Sequence, residues 1–170
     1  DWNRPVDGGD PATEWGAPMS VDSSPLVHNP PNGWLYNTNN WPYSADGPGN
    51  SPRRADYPAY VDVELENPRG VHAMRVLDGR KDFTLDGLVA AAYSPQLPAF
   101  EPLLPALLQA YDRLPATDSL RRTLMEQVAV LRGWDFRWDT GSVATSLAVH
   151  WGEALLARVQ MMQGPGVDLY

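Results

Sequence analysis

The chain has 170 residues, 43% of them hydrophobic, no cysteine and a formal net charge of −8. That length accommodates one domain with a core, whereas acidity without a basic patch argues against nucleic acid and against an anionic membrane surface as partners. Without cysteine there are no disulfides and no thiol chemistry, and no apolar run approaches the roughly 20 residues of a membrane span.

The acidity lies in the first part. Residues 1–66 hold ten acids and three arginines, a net of −7; residues 67–170 hold eleven acids and ten bases, a net of −1. Seventeen prolines and fourteen glycines imply long irregular connections. Residues 1–24 scatter Pro, Gly and Asp with no sustained period, and Trp2 and Trp15 are expected to pin this segment onto something larger. Val27 and His28 then face Trp34-Leu35-Tyr36 across the turn residues Pro30, Pro31, Asn32 and Gly33, which reads as a short β-hairpin. Residues two apart in a strand share a face, so Asn37 and Asn39 point one way and Asn40 the other. Asn disfavours strand interiors; either turn chemistry before Pro42 or a fixed amide donor aimed at a site accounts for the pair.

Residues 42–66 are again irregular, with Asp46-Gly47-Pro48-Gly49-Asn50-Ser51-Pro52 readable only as loop. A stretch this long without regular structure is functional or tied down by another chain. Asp56, Asp62, Glu64 and Glu66 follow as an acidic run, read as a solvated edge; calcium takes six to eight oxygens, more than this run supplies unaided. Trp2, Trp15, Trp34 and Trp41 could stack on a sugar, but aromatics in such loops are more often anchors.

From residue 67 the pattern turns helical. Asn67 is an N-cap and Pro68 takes the first helical position, followed by the stripe Val71, Ala73, Met74 and Leu77 and by Gly79 as a stop. Thr84 caps a second helix with Leu85, Leu88, Val89 and Ala92 inward, ended by Ser94-Pro95. Pro95, Pro98, Pro102 and Pro105 break the next stretch into short turns, and a third helix is expected from about Pro105 to Leu114. Asp118 caps a fourth, with Leu120, Leu124, Val128 and Leu131 on one face and Gly133 as its stop. Ser142 caps the last and longest, whose stripe runs from Ala144 through Leu147, Ala148, Trp151, Leu155 and Val159 to Met162, closed by Gly164-Pro165. The division is therefore a loop-rich segment at 1–66 and a helical array at 67–170, one structural unit.

Asp139-Thr140-Gly141-Ser142 matches the aspartic-protease tetrapeptide, but here it opens a helix and lacks a paired carboxylate on a β-rich fold. His28, His72 and His150 show no metal-ligand spacing, and no nucleophile elbow or phosphate loop occurs. Arg69, near the start of its helix, gains nothing from the helix dipole and so suggests an external partner; Arg75 reads as a structural ion-pair residue.

The run Asn29-Pro30-Pro31-Asn32-Gly33-Trp34-Leu35-Tyr36-Asn37-Thr38-Asn39-Asn40-Trp41-Pro42 resembles the segment of penicillin acylase-family enzymes that carries their oxyanion-hole asparagine, at the position of Asn39. Asp10 to Gly16, Arg69-Gly70 with Arg75-Val76-Leu77, Gly133-Trp134-Asp135 and Ala144 to Trp151 are similar to further parts of the same enzymes in the same order. The resemblance implies Asn39 as oxyanion donor, Arg69 as active-site support and Asn37 as a turn or supporting residue. It implies a fold that is mainly α with a short hairpin and long irregular loops, a fragment of a larger αββα N-terminal-nucleophile hydrolase. It also implies a periplasmic or secreted location, no cofactor except a structural calcium in some members, and a small-molecule acyl amide as substrate. The family's nucleophile is a serine at the start of its β subunit. Since this chain begins with Asp1, the expectation is an internal piece of that subunit. Its partners would be the remaining β subunit and the α subunit, and the piece alone would be inactive. The alternative is a non-catalytic domain that docks a protein or glycan through its Trp-bearing acidic loops.

Overall fold

The computed structural model describes residues 5–62 and 64–163. Among them, single 3-10 turns at Pro11–Thr13, Val21–Ser23, Pro42–Ser44 and Arg54–Asp56 punctuate an irregular first part. Six helices follow: α1 Pro68–Leu77, α2 Leu85–Ala92, α3 Phe100–Asp112, α4 Ser119–Thr123, α5 Met125–Arg132 and α6 Val143–Gln163. The starts read from sequence are real caps. Asn67 accepts the Gly70 N–H at 3.0 Å, Thr84 the Gly87 N–H at 3.0 Å, Asp118 the Leu120 N–H at 2.8 Å and Ser142 the Thr145 N–H at 3.1 Å. Each satisfies a donor that the helix itself leaves unpaired.

The expected hairpin is not found among the described residues, which contain no β-strand; their one β-pairing is an isolated antiparallel bridge between Gln96 and Arg137. The turn does form, with the Gly33 N–H on Pro30 O at 2.9 Å and Gly33 at φ 81°. Asn29, however, is left-handed at φ 49°, which swings the chain out of the path an arm from Val27 and His28 would follow. Tyr36 donates instead to Ala45 O at 3.0 Å. What survives of the strand reading is its alternation: Trp34, Tyr36, Thr38 and Asn40 are partly covered while Leu35, Asn37 and Asn39 are exposed.

The third helix begins at Phe100, not near Pro105, and contains both Pro102 and Pro105. Pro102 lies in the first turn, where its missing N–H would have no helical partner anyway. Pro105 interrupts one bond, and the helix continues because Leu104, 2% exposed, is buried in the core together with partly covered Phe100, Leu107 and Leu108. The fourth helix is two. Leu124 (φ −99°, ψ 4°) separates α4 from α5, although bonds from Leu124 N–H to Leu120 O and from Val128 N–H to Leu124 O span the bend. Arg121 holds α4 against the end of α3 by donating to Leu114 O at 2.8 Å, and the Tyr111 hydroxyl donates to Arg121 O at 2.7 Å.

The core sits among α3, α5, α6 and the 134–136 turn. Leu104, Leu131, Trp134 and Ala148 are buried there. The Phe100 and Trp134 rings meet edge to face at 5.2 Å, and Phe136 lies 5.5 Å from Trp134, a geometry that aromatic quadrupoles favour. The α2 stripe, expected inward, is not buried: Leu85 is 80%, Leu88 46% and Val89 51% exposed, because among the described residues no further layer packs on it. No helix among the described residues is long and apolar enough to cross a membrane. Trp2 and the Gly164-Pro165 stop lie outside the described residues.

Candidate active-site loop

Asn39 occupies the crest of the loop between Tyr36 and Pro42. Its backbone is left-handed, φ 57°, a conformation that Asn tolerates better than other residues with a Cβ. The Asn37 side chain stabilises that turn by accepting the Asn39 N–H at 2.9 Å, which makes Asn37 a turn residue. The Asn39 side chain is exposed, and its Oδ1 accepts from both terminal nitrogens of Arg69, at 3.3 and 3.4 Å. A guanidinium has only donors to offer, so this contact fixes which end of the Asn39 amide is oxygen. The Nδ2 amide is then turned away from Arg69, and among the described residues it makes no hydrogen bond. The two residues the sequence singled out are thus brought together across 30 positions of chain.

A polar network ties this loop to the start of α1. Glu66 is its centre. Its carboxylate accepts from the Tyr36 hydroxyl at 3.0 Å, Asn40 Nδ2 at 2.8 Å, Trp41 Nε1 at 3.3 Å, the Ser44 hydroxyl and the Asn67 N–H at 2.9 Å. Asn40 Oδ1 in turn accepts from the N–H and hydroxyl of Thr38 at 3.1 and 3.0 Å. Asn67, 8% exposed, caps α1 with its oxygen and donates Nδ2 to Thr38 O at 3.0 Å. Burial raises the Tyr36 pKa and its bond to Glu66 adds to this, against opposing bonds to Ser44 and Asn40, so the phenol stays a neutral donor. Gly70 makes the approach possible: a Cβ there would lie 2.0 Å from Glu66 Oε1 and 2.9 Å from Asn40 Nδ2.

Beside the loop, a cavity of about 580 Å3 opens between α1, α2 and residues 94–100, within the range of small-molecule sites. Thr38, Arg69 and His72 line it together with Ala73, Val76, Leu88, Ala91, Leu97 and Phe100. His72 lies one helical turn from Arg69. Both of its ring nitrogens are buried and make no hydrogen bond among the described residues. Burial first, then Arg75, holds its pKa below the ordinary value, opposed by Glu101, so the cavity wall carries an uncharged imidazole. Arg75 pairs with Glu101 at 2.6 Å, the structural role read for it.

The acidic run does not converge. Asp56 pairs with Arg53 at 2.8 Å, Asp62 accepts the Glu64 N–H at 2.8 Å, and Glu66 serves the network above, so these carboxylates do not fit a shared calcium. Among the described residues no three His, Asp or Glu side chains gather as a metal site. His28 and His150 are exposed, and Asp139 turns the chain into the Ser142 cap by accepting the Gly141 N–H at 2.8 Å. Glu66 is the functional residue that the sequence does not reveal: it stands at the end of an acidic run that reads as a solvated edge, and the one signal that sets it apart is its place directly before the Asn67 cap. The family model for penicillin amidase matches residues 1–165. No solved structure matches the chain.

Proposed function

The chain belongs to the penicillin amidase family, and on that premise we propose that it is part of an amidase that hydrolyses an acylated small molecule, with Asn39 as the oxyanion donor. The observation that carries this reading is the Asn39 amide: exposed at a loop crest, its oxygen held by Arg69 and its N–H groups left to an incoming acceptor. Acyl transfer needs such a donor, preoriented where the carbonyl oxygen gains charge. In the proposed reaction a serine upstream of this chain attacks the amide carbonyl carbon and its own α-amine takes the hydroxyl proton. The carbonyl electrons move onto oxygen, where Asn39 Nδ2–H donates. The amine then leaves with the proton, and water hydrolyses the acyl ester. Arg69 locks the amide end for end.

On this reading the chain is the middle of a mature β subunit, completed by the rest of that subunit and by an α subunit, periplasmic or secreted. β-Lactams, acyl-homoserine lactones and lipopeptides are the substrate classes to assay. The test is Asn39→Gly in the full-length protein. Glycine adopts φ 57° without strain, so this change deletes the amide and spares the backbone. The kcat is expected to fall about 10²- to 10³-fold with KM little changed. Turnover at the wild-type rate would remove Asn39 from the mechanism. A purely binding role for the parent protein predicts no amide hydrolysis by either form.

A further inference from the structure

Glu66 is the last acid of the 56–66 run, yet its two oxygens serve five donors drawn from both sides of the candidate site. Four of them come from the Asn39 side: Tyr36, Asn40 and Trp41 from the loop that carries Asn39, and Ser44 from the 3-10 turn that follows it. The fifth is the backbone N–H of Asn67, which caps the helix that carries Arg69. One carboxylate therefore spans the two halves of the Asn39–Arg69 pair. The route to Asn39 is short. Glu66 Oε1 holds Asn40 Nδ2, and the same Asn40 amide, through its oxygen, holds Thr38. Asn39 stands between those two residues, so both of its chain neighbours are fixed.

We infer that Glu66 is the positioning residue of the oxyanion loop, setting the Asn39 amide through Asn40 on one side and through the Asn67-capped helix on the other. The inference rests on reading Asn39 as the oxyanion donor. Glu66 does not touch substrate in this role. The chemistry requires an ionised carboxylate, because all five partners present hydrogen to it and a carboxylate is acceptor-only. A glutamine cannot substitute quietly. Its NH2 group must replace one oxygen, facing either Asn40 Nδ2 and the Asn67 N–H or the indole N–H of Trp41. A misplaced donor in an acyl-transfer site costs rate and leaves ground-state binding alone.

The experiment is Glu66→Gln in the full-length enzyme, alone and combined with Asn39→Gly. Rates are expressed per active site titrated with an acylating inactivator, so that loss of folded protein does not enter kcat. Glu66→Gln is expected to lower kcat about tenfold with KM unchanged, and to have no further effect in the Asn39→Gly background, since groups that act through one another do not add. Ser44→Ala and Tyr36→Phe each remove one donor to the same carboxylate and provide the same comparison if Glu66→Gln does not fold. They too are expected to lower kcat in the wild type and to be silent in the Asn39→Gly background. An equal loss in both backgrounds, or no loss in the wild type, overturns the inference and leaves Asn39 in place. Full turnover by Asn39→Gly alone overturns the oxyanion reading and takes this inference with it.

Discussion

Gly70→Ala should loosen the whole loop that carries Asn39 from a single methyl group. Gly70 is buried in the first turn of α1 and its φ is ordinary for a helix, so the glycine is required by space, not by conformation. An added Cβ would lie 2.0 Å from Glu66 Oε1 and 3.0 Å from Glu66 Cδ, far inside van der Waals contact. The carboxylate must move, and Oε1 then loses its bonds to Asn40 Nδ2 at 2.8 Å and to the Asn67 N–H at 2.9 Å. A hydrogen bond to a charged group contributes about 1.5–3 kcal/mol. The network is half-buried, so the lower end applies, and two bonds amount to about 3 kcal/mol. Alanine is the better helix former by about 0.5–1 kcal/mol, which leaves a net destabilisation of about 2 kcal/mol. Urea unfolding of the full-length protein measures it as a lower midpoint at unchanged slope. A variant as stable as wild type, or more stable, would refute the argument that Glu66 is rigidly held.

Substitutions at two further residues test the site and the cavity wall. Arg69→Leu frees the Asn39 amide to rotate and should lower kcat about tenfold with a smaller effect on KM, and Arg69→Lys, which retains one cationic donor, should recover part of the loss; wild-type kcat in Arg69→Leu would show that the amide is oriented by other contacts. His72 gives a pH dependence. Its folded pKa lies below the ordinary 6.5 because burial disfavours the cation, so the unfolded chain binds the proton more readily. Its contribution to stability is then complete above about pH 6.5 and is lost as pH falls through the lowered folded value. Melting temperatures at pH 8 and pH 5.5, above the range where Glu101 titrates, should differ less for His72→Phe than for wild type. An unchanged difference would assign the acid loss to other groups.

The local chemistry of the chain was legible. Asn67, Thr84, Asp118 and Ser142 were readable as caps because a cap bond closes within three residues, and the common side of Asn37 and Asn39, opposite Asn40, was readable from the alternation of two, whereas the left-handed backbone of Asn39 was not. The hairpin was misread for the same local reason: turn residues at 30–33 announce a reversal but not the left-handed Asn29 that redirects it. The start of α3 was misplaced because proline rules weigh a missing N–H and not the burial of Leu104 and Phe100 around Trp134.

What the sequence determined by itself is the list of parts: a loop bearing Asn39, a helix opening with Asn67-Pro68-Arg69-Gly70, and an apolar stripe on each later helix. Only the tertiary structure decided that Arg69 meets Asn39 and that Glu66 collects five donors from positions 36 to 67. Contacts separated by 22 to 30 residues depend on the path of the intervening chain, which no residue's own propensity encodes. The same acid that reads as one more solvated charge becomes, once residues 42–65 have brought it back beneath the loop, the carboxylate on which the candidate site is built.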